Sequence, residues 1–251
     1  LSTIKTQGAG ISSETKGYFM SGYVAANTTI IEDLIFSTET TEIISATLNT
    51  AKRLGCGVNS STKGYIMGGF VAASVSGIED LTFSTETSEL IVAALNTSKY
   101  GGIGVNSSTK GYIMGGLTTV VTAVIEDLNF STETSDVIAA TLNTAKYLGG
   151  GINSSTKGYC MGGWTTVSVA VIEDLTFSTE ASVAITAVLD TILSRQCGVH
   201  TSTKGYTLGG YTTLEAPTIQ AFNFGTELST TLATTLKSAK YWGVGVQSGS
   251  I

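Results

Sequence analysis

Along Ile78-Glu79-Asp80-Leu81-Thr82-Phe83 the side chains alternate, with Glu79, Leu81 and Phe83 facing one way and Ile78, Asp80 and Thr82 the other. Such a period of two marks a β-strand. Because apolar residues stand on both faces, the strand needs cover from both sides. The flanking pattern predicts three more strands. Leu54 to Ser61 is short, interrupted by glycine and mostly small, which suits a strand closely approached by its neighbours. Ser61-Thr62-Lys63-Gly64 reads as a tight turn, with Gly64 expected at positive φ. Tyr65 to Gly69 then forms a hairpin with the first strand, and Gly68-Gly69 is expected to end it. After the loop from Phe70 to Gly77 and the alternating strand comes the polar turn Ser84-Thr85-Glu86-Thr87-Ser88, followed by a fourth strand from Glu89 to Leu95. The composition of Leu90 to Leu95 also suits a helix, but the run is too short and its other copies are threonine-rich.

This four-strand unit recurs. Lys16, Lys63, Lys110, Lys157 and Lys204 each stand 47 residues after the one before, within near-identical surroundings. A period of that size means one supersecondary unit copied several times, each burying its faces against its neighbours. The expected fold is therefore all-β: a five-bladed β-propeller of four-stranded, 47-residue units forming a single domain over residues 1–251, with first strands starting near residues 7, 54, 101, 148 and 195. Residues 242–249 repeat the first strand once more, as a redundant extra strand. One of the two terminal copies, 7–14 or 242–249, is expected to close the ring and the other to be displaced or to pair elsewhere. The fifth unit diverges, with Gln220-Ala221 in place of Glu-Asp and the only proline, Pro217.

The motif Lys63-Gly64-Tyr65-Ile66-Met67-Gly68-Gly69 resembles the Tyr-x-x-Gly-Gly strand of kelch repeats. Phe83-Ser84-Thr85-Glu86-Thr87 is similar to their Tyr-Asp-Pro-Glu-Thr turn, and Leu95-Asn96-Thr97-Ser98-Lys99 to the passage ending in a basic residue. The likeness covers essentially the whole chain. It departs where Ile43, Leu90, Val137, Ala184 and Thr231 replace the kelch tryptophan. The variant wording is most similar to repeats in bacteriophage tail-associated and bacterial surface proteins, and this resemblance implies an extracellular or virion-surface location.

Composition narrows the function. Charged residues are 13% of the chain, the net charge is −6, and no basic stripe is present to neutralise phosphates, so nucleic acid is not an expected partner. No apolar run approaches the ~18 residues of a membrane span, so no membrane insertion is expected. Three cysteines without paired spacing make neither a disulfide framework nor a zinc site; Cys56 and Cys197, at one repeat position, read as small buried hydrophobes. A start at Leu1 is what a processed or excised chain would show.

Candidate chemistry is sparse. Some kelch-type propellers are copper oxidases, but that site needs two histidines and this chain has only His200, which stands where other units have Asn59, Asn106 and Asn153 and reads as a polar residue lining the axis. Glu32-Asp33, Glu79-Asp80, Glu126-Asp127 and Glu173-Asp174 are adjacent on a strand, so the two carboxylates of a pair point to opposite faces and cannot share a ligand. Their expected use is structural. Lys63 and Glu86, with their equivalents, are expected on one rim of the disc. No catalytic residue, cofactor or metal is expected.

The loops after the glycine pair lie at the opposite end and differ between units: Tyr23, Phe70, Leu117, Trp164 and Tyr211. Aromatic residues in varied loops on a rigid scaffold suit recognition, and sugars stack on such rings. The same side chains could equally cap the core between blades. The leading reading is a non-catalytic binding or structural propeller, a phage-tail or cell-surface recognition module. Its partners would be other protein subunits or cell-surface glycans, and an oligomer could form through the redundant terminal strand. The alternative is a multivalent lectin with one site per blade.

Overall fold

The computed structural model describes residues 5 to 246 and shows no helix among them. Five antiparallel four-stranded sheets follow one another along the chain, each in simple sequential order, and together they make a five-bladed β-propeller. In the second blade the strands are Cys56–Asn59, Lys63–Phe70, Ser74–Thr82 and Thr87–Ala94. The Leu-Ile-Val-Ala run is thus a strand, the outermost, and it leaves Leu90 and Val92 exposed.

Three local readings change. The first strands begin at Ala9, Cys56, Ile103, Gly150 and Cys197, two residues later than expected, because Gln7, Leu54, Gly101, Leu148 and Arg195 all hold positive φ, which extended backbone cannot adopt. Gly64 does not hold positive φ; a Cβ there would run into Ile11 of the first blade, so close approach explains the glycine. Gly68 and Gly69 do not end their strand. With φ of 61° and 125° they form a bulge, beyond which pairing resumes at Gly69–Val75 and Phe70–Ser74.

Blades adhere through side chains that one sheet cannot shelter alone. Ile66 and Leu81 of the second blade pack, fully buried, against Tyr18, Met20 and Ile31 of the first. Phe83 is only partly buried and stacks on Tyr18 with ring centroids 5.6 Å apart. Each Glu-Asp pair is split between two lysines, as strand alternation demands. Glu79 meets Lys52 at 3.2 Å, and Glu126 and Glu173 meet Lys99 and Lys146 at 3.0 and 3.3 Å; these pairs are buried and each joins one blade to the next. Burial pulls the Lys52 and Lys99 ammonium groups below their ordinary range, against the opposing pull of Glu79 and Glu126.

Asp80 instead meets Lys63 of its own blade at 2.7 Å, and Lys63 reaches on to Glu133 of the third blade at 2.7 Å. Rim lysines therefore bridge blades and do not pair with the turn glutamate of their own unit. The Tyr65 hydroxyl donates to the same Glu133 carboxylate at 3.1 Å. Four junctions repeat this arrangement, as Lys16–Glu86, Lys63–Glu133, Lys110–Glu180 and Lys157–Glu227.

Both terminal inner segments have a place, so they do not compete for one slot. At the axis, a Cβ on Gly57 would stand well inside 3.0 Å of the Gly10 carbonyl, and the same relation runs from Gly104 to Gly57, Gly151 to Gly104 and Gly198 to Gly151. It then continues from Gly245 to Gly198 and from Gly10 to Gly245. The circle thus has six inner positions, the sixth held by Gly243 to Val246. That stretch has no strand partner and is not itself a strand; residues 247–249 of the expected extra strand lie outside the described residues.

Candidate binding site

Cavities lie on the axis at each end. At the turn end a cavity of about 240 Å³ is lined by Asn59, Asn106, Asn153 and His200 together with serines and the inner glycines. His200 is thus an axial residue. Its Nδ1 accepts a hydrogen bond from the Asn153 backbone N–H at 3.4 Å, just as Asn153 Oδ1 accepts from the Asn106 N–H at 3.0 Å. Burial lowers the His200 pKa to about 4, keeping the imidazole neutral and able to accept. Among the described residues no three of His, Cys, Asp and Glu gather as a metal site would require.

At the loop end the structure assembles something different. All five variable residues, Tyr23, Phe70, Leu117, Trp164 and Tyr211, are half-buried. Each is joined by an isolated antiparallel bridge to the residue three places before its blade's first strand: Thr6, Arg53, Tyr100, Tyr147 and Ser194. That bridging position was not singled out in the sequence, and it carries the more informative side chains. The residue after it, whose positive φ turns its side chain toward the axis, adds Gln7, Leu54, Leu148, Arg195 and Trp242. A cavity of about 260 Å³ results, bounded by Arg53, Phe70, Tyr100, Tyr147, Arg195 and Trp242.

The two arginines of the sequence therefore converge on one face. Arg53 lies over the rings of Tyr23 and Phe70 at 4.8 and 5.1 Å. Arg195 lies over Trp164, Tyr211 and Trp242 at 5.2, 4.6 and 5.3 Å. Tyr100 completes the wall, edge-on to Phe70 at 5.1 Å and to Tyr147 at 6.5 Å. Of the five expected residues, Phe70 lines the cavity itself, Tyr23, Trp164 and Tyr211 support the arginines, and Leu117 does neither. Neither arginine has an acidic partner among the described residues, and the Nε of each is buried without a hydrogen-bond acceptor. Contact with the rings holds each guanidinium in place without using its terminal donors, and arginine can present such donors to a carboxylate in two-pronged fashion.

No family model matches the chain, and no curated protein matches it either. The kelch-like resemblance therefore rests on the repeat motifs alone.

Proposed function

We propose that this propeller is a non-catalytic binding module, and that its ligand is an acidic saccharide seated on the axis at the loop end. Arg53 and Arg195 take the carboxylates, while Phe70, Tyr100, Tyr147 and Trp242 stack against the apolar faces of the sugar rings. The observation that carries this reading is the convergence of both arginines, held over aromatic rings and without an acidic partner among the described residues, in a protein whose net charge is −6. Overall charge would repel such a ligand, so a local cationic pair at one cavity gives specificity that composition alone does not. A single composite site fits better than one site per blade, because the bridging position reads Thr6, Arg53, Tyr100, Tyr147 and Ser194 and never repeats a cation. The kelch-like motifs and their likeness to phage-tail and bacterial-surface repeats support a recognition role at a virion or cell surface.

A glycan array tests this. Binding should be confined to glycans bearing uronic or sialic acids and should be lost in Arg53→Gln/Arg195→Gln. Equal binding to neutral glycans, or retention by the double variant, would refute the proposal.

A further inference from the structure

Between the fifth blade and the first, the ring holds an inner position but, among the described residues, no sheet outside it. Gly243 to Val246 fills the sixth inner slot, yet among the described residues no second, third or fourth strand of a sixth sheet follows it. The flanking faces show what is missing. Val199, Tyr206 and Leu208 on the fifth blade are half-exposed, whereas Val58, Tyr65 and Met67 at the same repeat positions are buried. On the first blade Leu34 is half-exposed, whereas Leu81, Leu128 and Leu175 have no exposure at all.

The polar groups tell the same story. Every earlier rim lysine and tyrosine finds a glutamate on the next blade, but among the described residues Lys204, exposed, has no acidic partner and Tyr206 has neither that glutamate nor a stacked phenylalanine. Across the gap stands the complementary half: among the described residues exposed Glu39 has no cation, and half-buried Phe36 has no stacked tyrosine. One side of the wedge offers Lys and Tyr, the other Glu and Phe.

We infer that this wedge is a docking site for a three-stranded β-segment of the repeat's own chemistry, which supplies strands two to four of a sixth sheet around the inner strand already present. Its Phe-Ser-Thr-Glu turn meets Tyr206 and Lys204, its Lys-Gly-Tyr strand meets Glu39 and Phe36, and its second strand pairs with Gly243 to Val246. Strand addition to an unpaired edge gives affinity through backbone hydrogen bonds, and the charge and ring pairs give register. The inference is independent of the axial saccharide site.

The probe is a labelled synthetic peptide of residues 61–97, added to the full chain and followed by fluorescence anisotropy and thermal melting. Saturable binding of one peptide per protein is expected, with a raised melting midpoint. Glu86→Lys in the peptide should weaken binding by about tenfold or more, and Lys204→Glu in the protein should restore it. Lys204 is exposed and has no acidic partner among the described residues, so that variant is expected to keep the parent's melting midpoint in the absence of peptide. As a second form that avoids a poorly soluble peptide, the same segment joined after Ile251 should raise the melting midpoint and protect Tyr206 from iodination. No saturable binding together with an unchanged midpoint in the joined form would overturn the inference. So would a dimer of the protein alone that Lys204→Glu dissociates, because the wedge would then hold a second copy.

Discussion

Lys99 and Glu126 are fully buried and 3.0 Å apart, holding the second blade to the third. Such a pair stabilises weakly in net terms, but breaking it strands a charge. The fifth blade contains the control, because there the lysine position is Leu193 and the glutamate position Gln220, whose amide exchanges two hydrogen bonds with the Thr191 backbone. Lys99→Leu alone should therefore cost about 3 to 5 kcal/mol in denaturant titration, while Lys99→Leu/Glu126→Gln should recover most of that loss. An additive double variant would contradict this account of the junction. His200 gives a pH dependence whose sign follows from its lowered pKa. The unfolded imidazole binds protons as pH falls below 6.5, but the folded one stays neutral until about 4, so stability is lost as pH drops through that window. The loss should be about 1 to 2 kcal/mol, less than the full shift implies because the ring faces the axial cavity. His200→Asn, the residue of the other units, should flatten the window.

Inner strands are short and glycine-rich because six segments converge on the axis. Gly57→Ala should destabilise by about 1 to 3 kcal/mol, since its Cβ would press on the Gly10 backbone carbonyl and not on the far end of a flexible side chain. Gly77→Ala is the matched control: its Cβ would meet only Leu90 Cδ1 at 3.4 Å, and the change should be close to neutral. Comparable losses in chemical denaturation would mean that the axis is not close-packed. Strand count, order and the outermost strand were legible from alternation plus the 47-residue period. Their edges were not, because the positive φ of Leu54 and the bulge at Gly68-Gly69 depend on backbone contacts that periodicity does not encode. The buried role of Lys52 and Lys99 was hidden for a related reason. A lysine in a polar connection reads as solvated until the ring brings the next blade's glutamate to it.

For the whole molecule, repetition builds the scaffold, and the proposed site lies where the units depart from repetition. The variable loop positions could be picked out in the sequence on that ground, whereas the convergence of Arg53 and Arg195 could not. They stand at adjacent, non-equivalent repeat positions in a passage that reads as a strand start, and only closure of the ring brings them to one cavity. Both tryptophans of the sequence, Trp164 and Trp242, lie within 5.3 Å of the Arg195 guanidinium, so their fluorescence reports directly on that cavity. The decisive measurement is a tryptophan fluorescence titration with an oligogalacturonate and with its neutral methyl ester. A saturable change with the acid alone, weakened by added salt and absent in Arg195→Gln, is the predicted result. Equal responses to acid and ester, or no response to either, would contradict the assignment of the loop end as the ligand face.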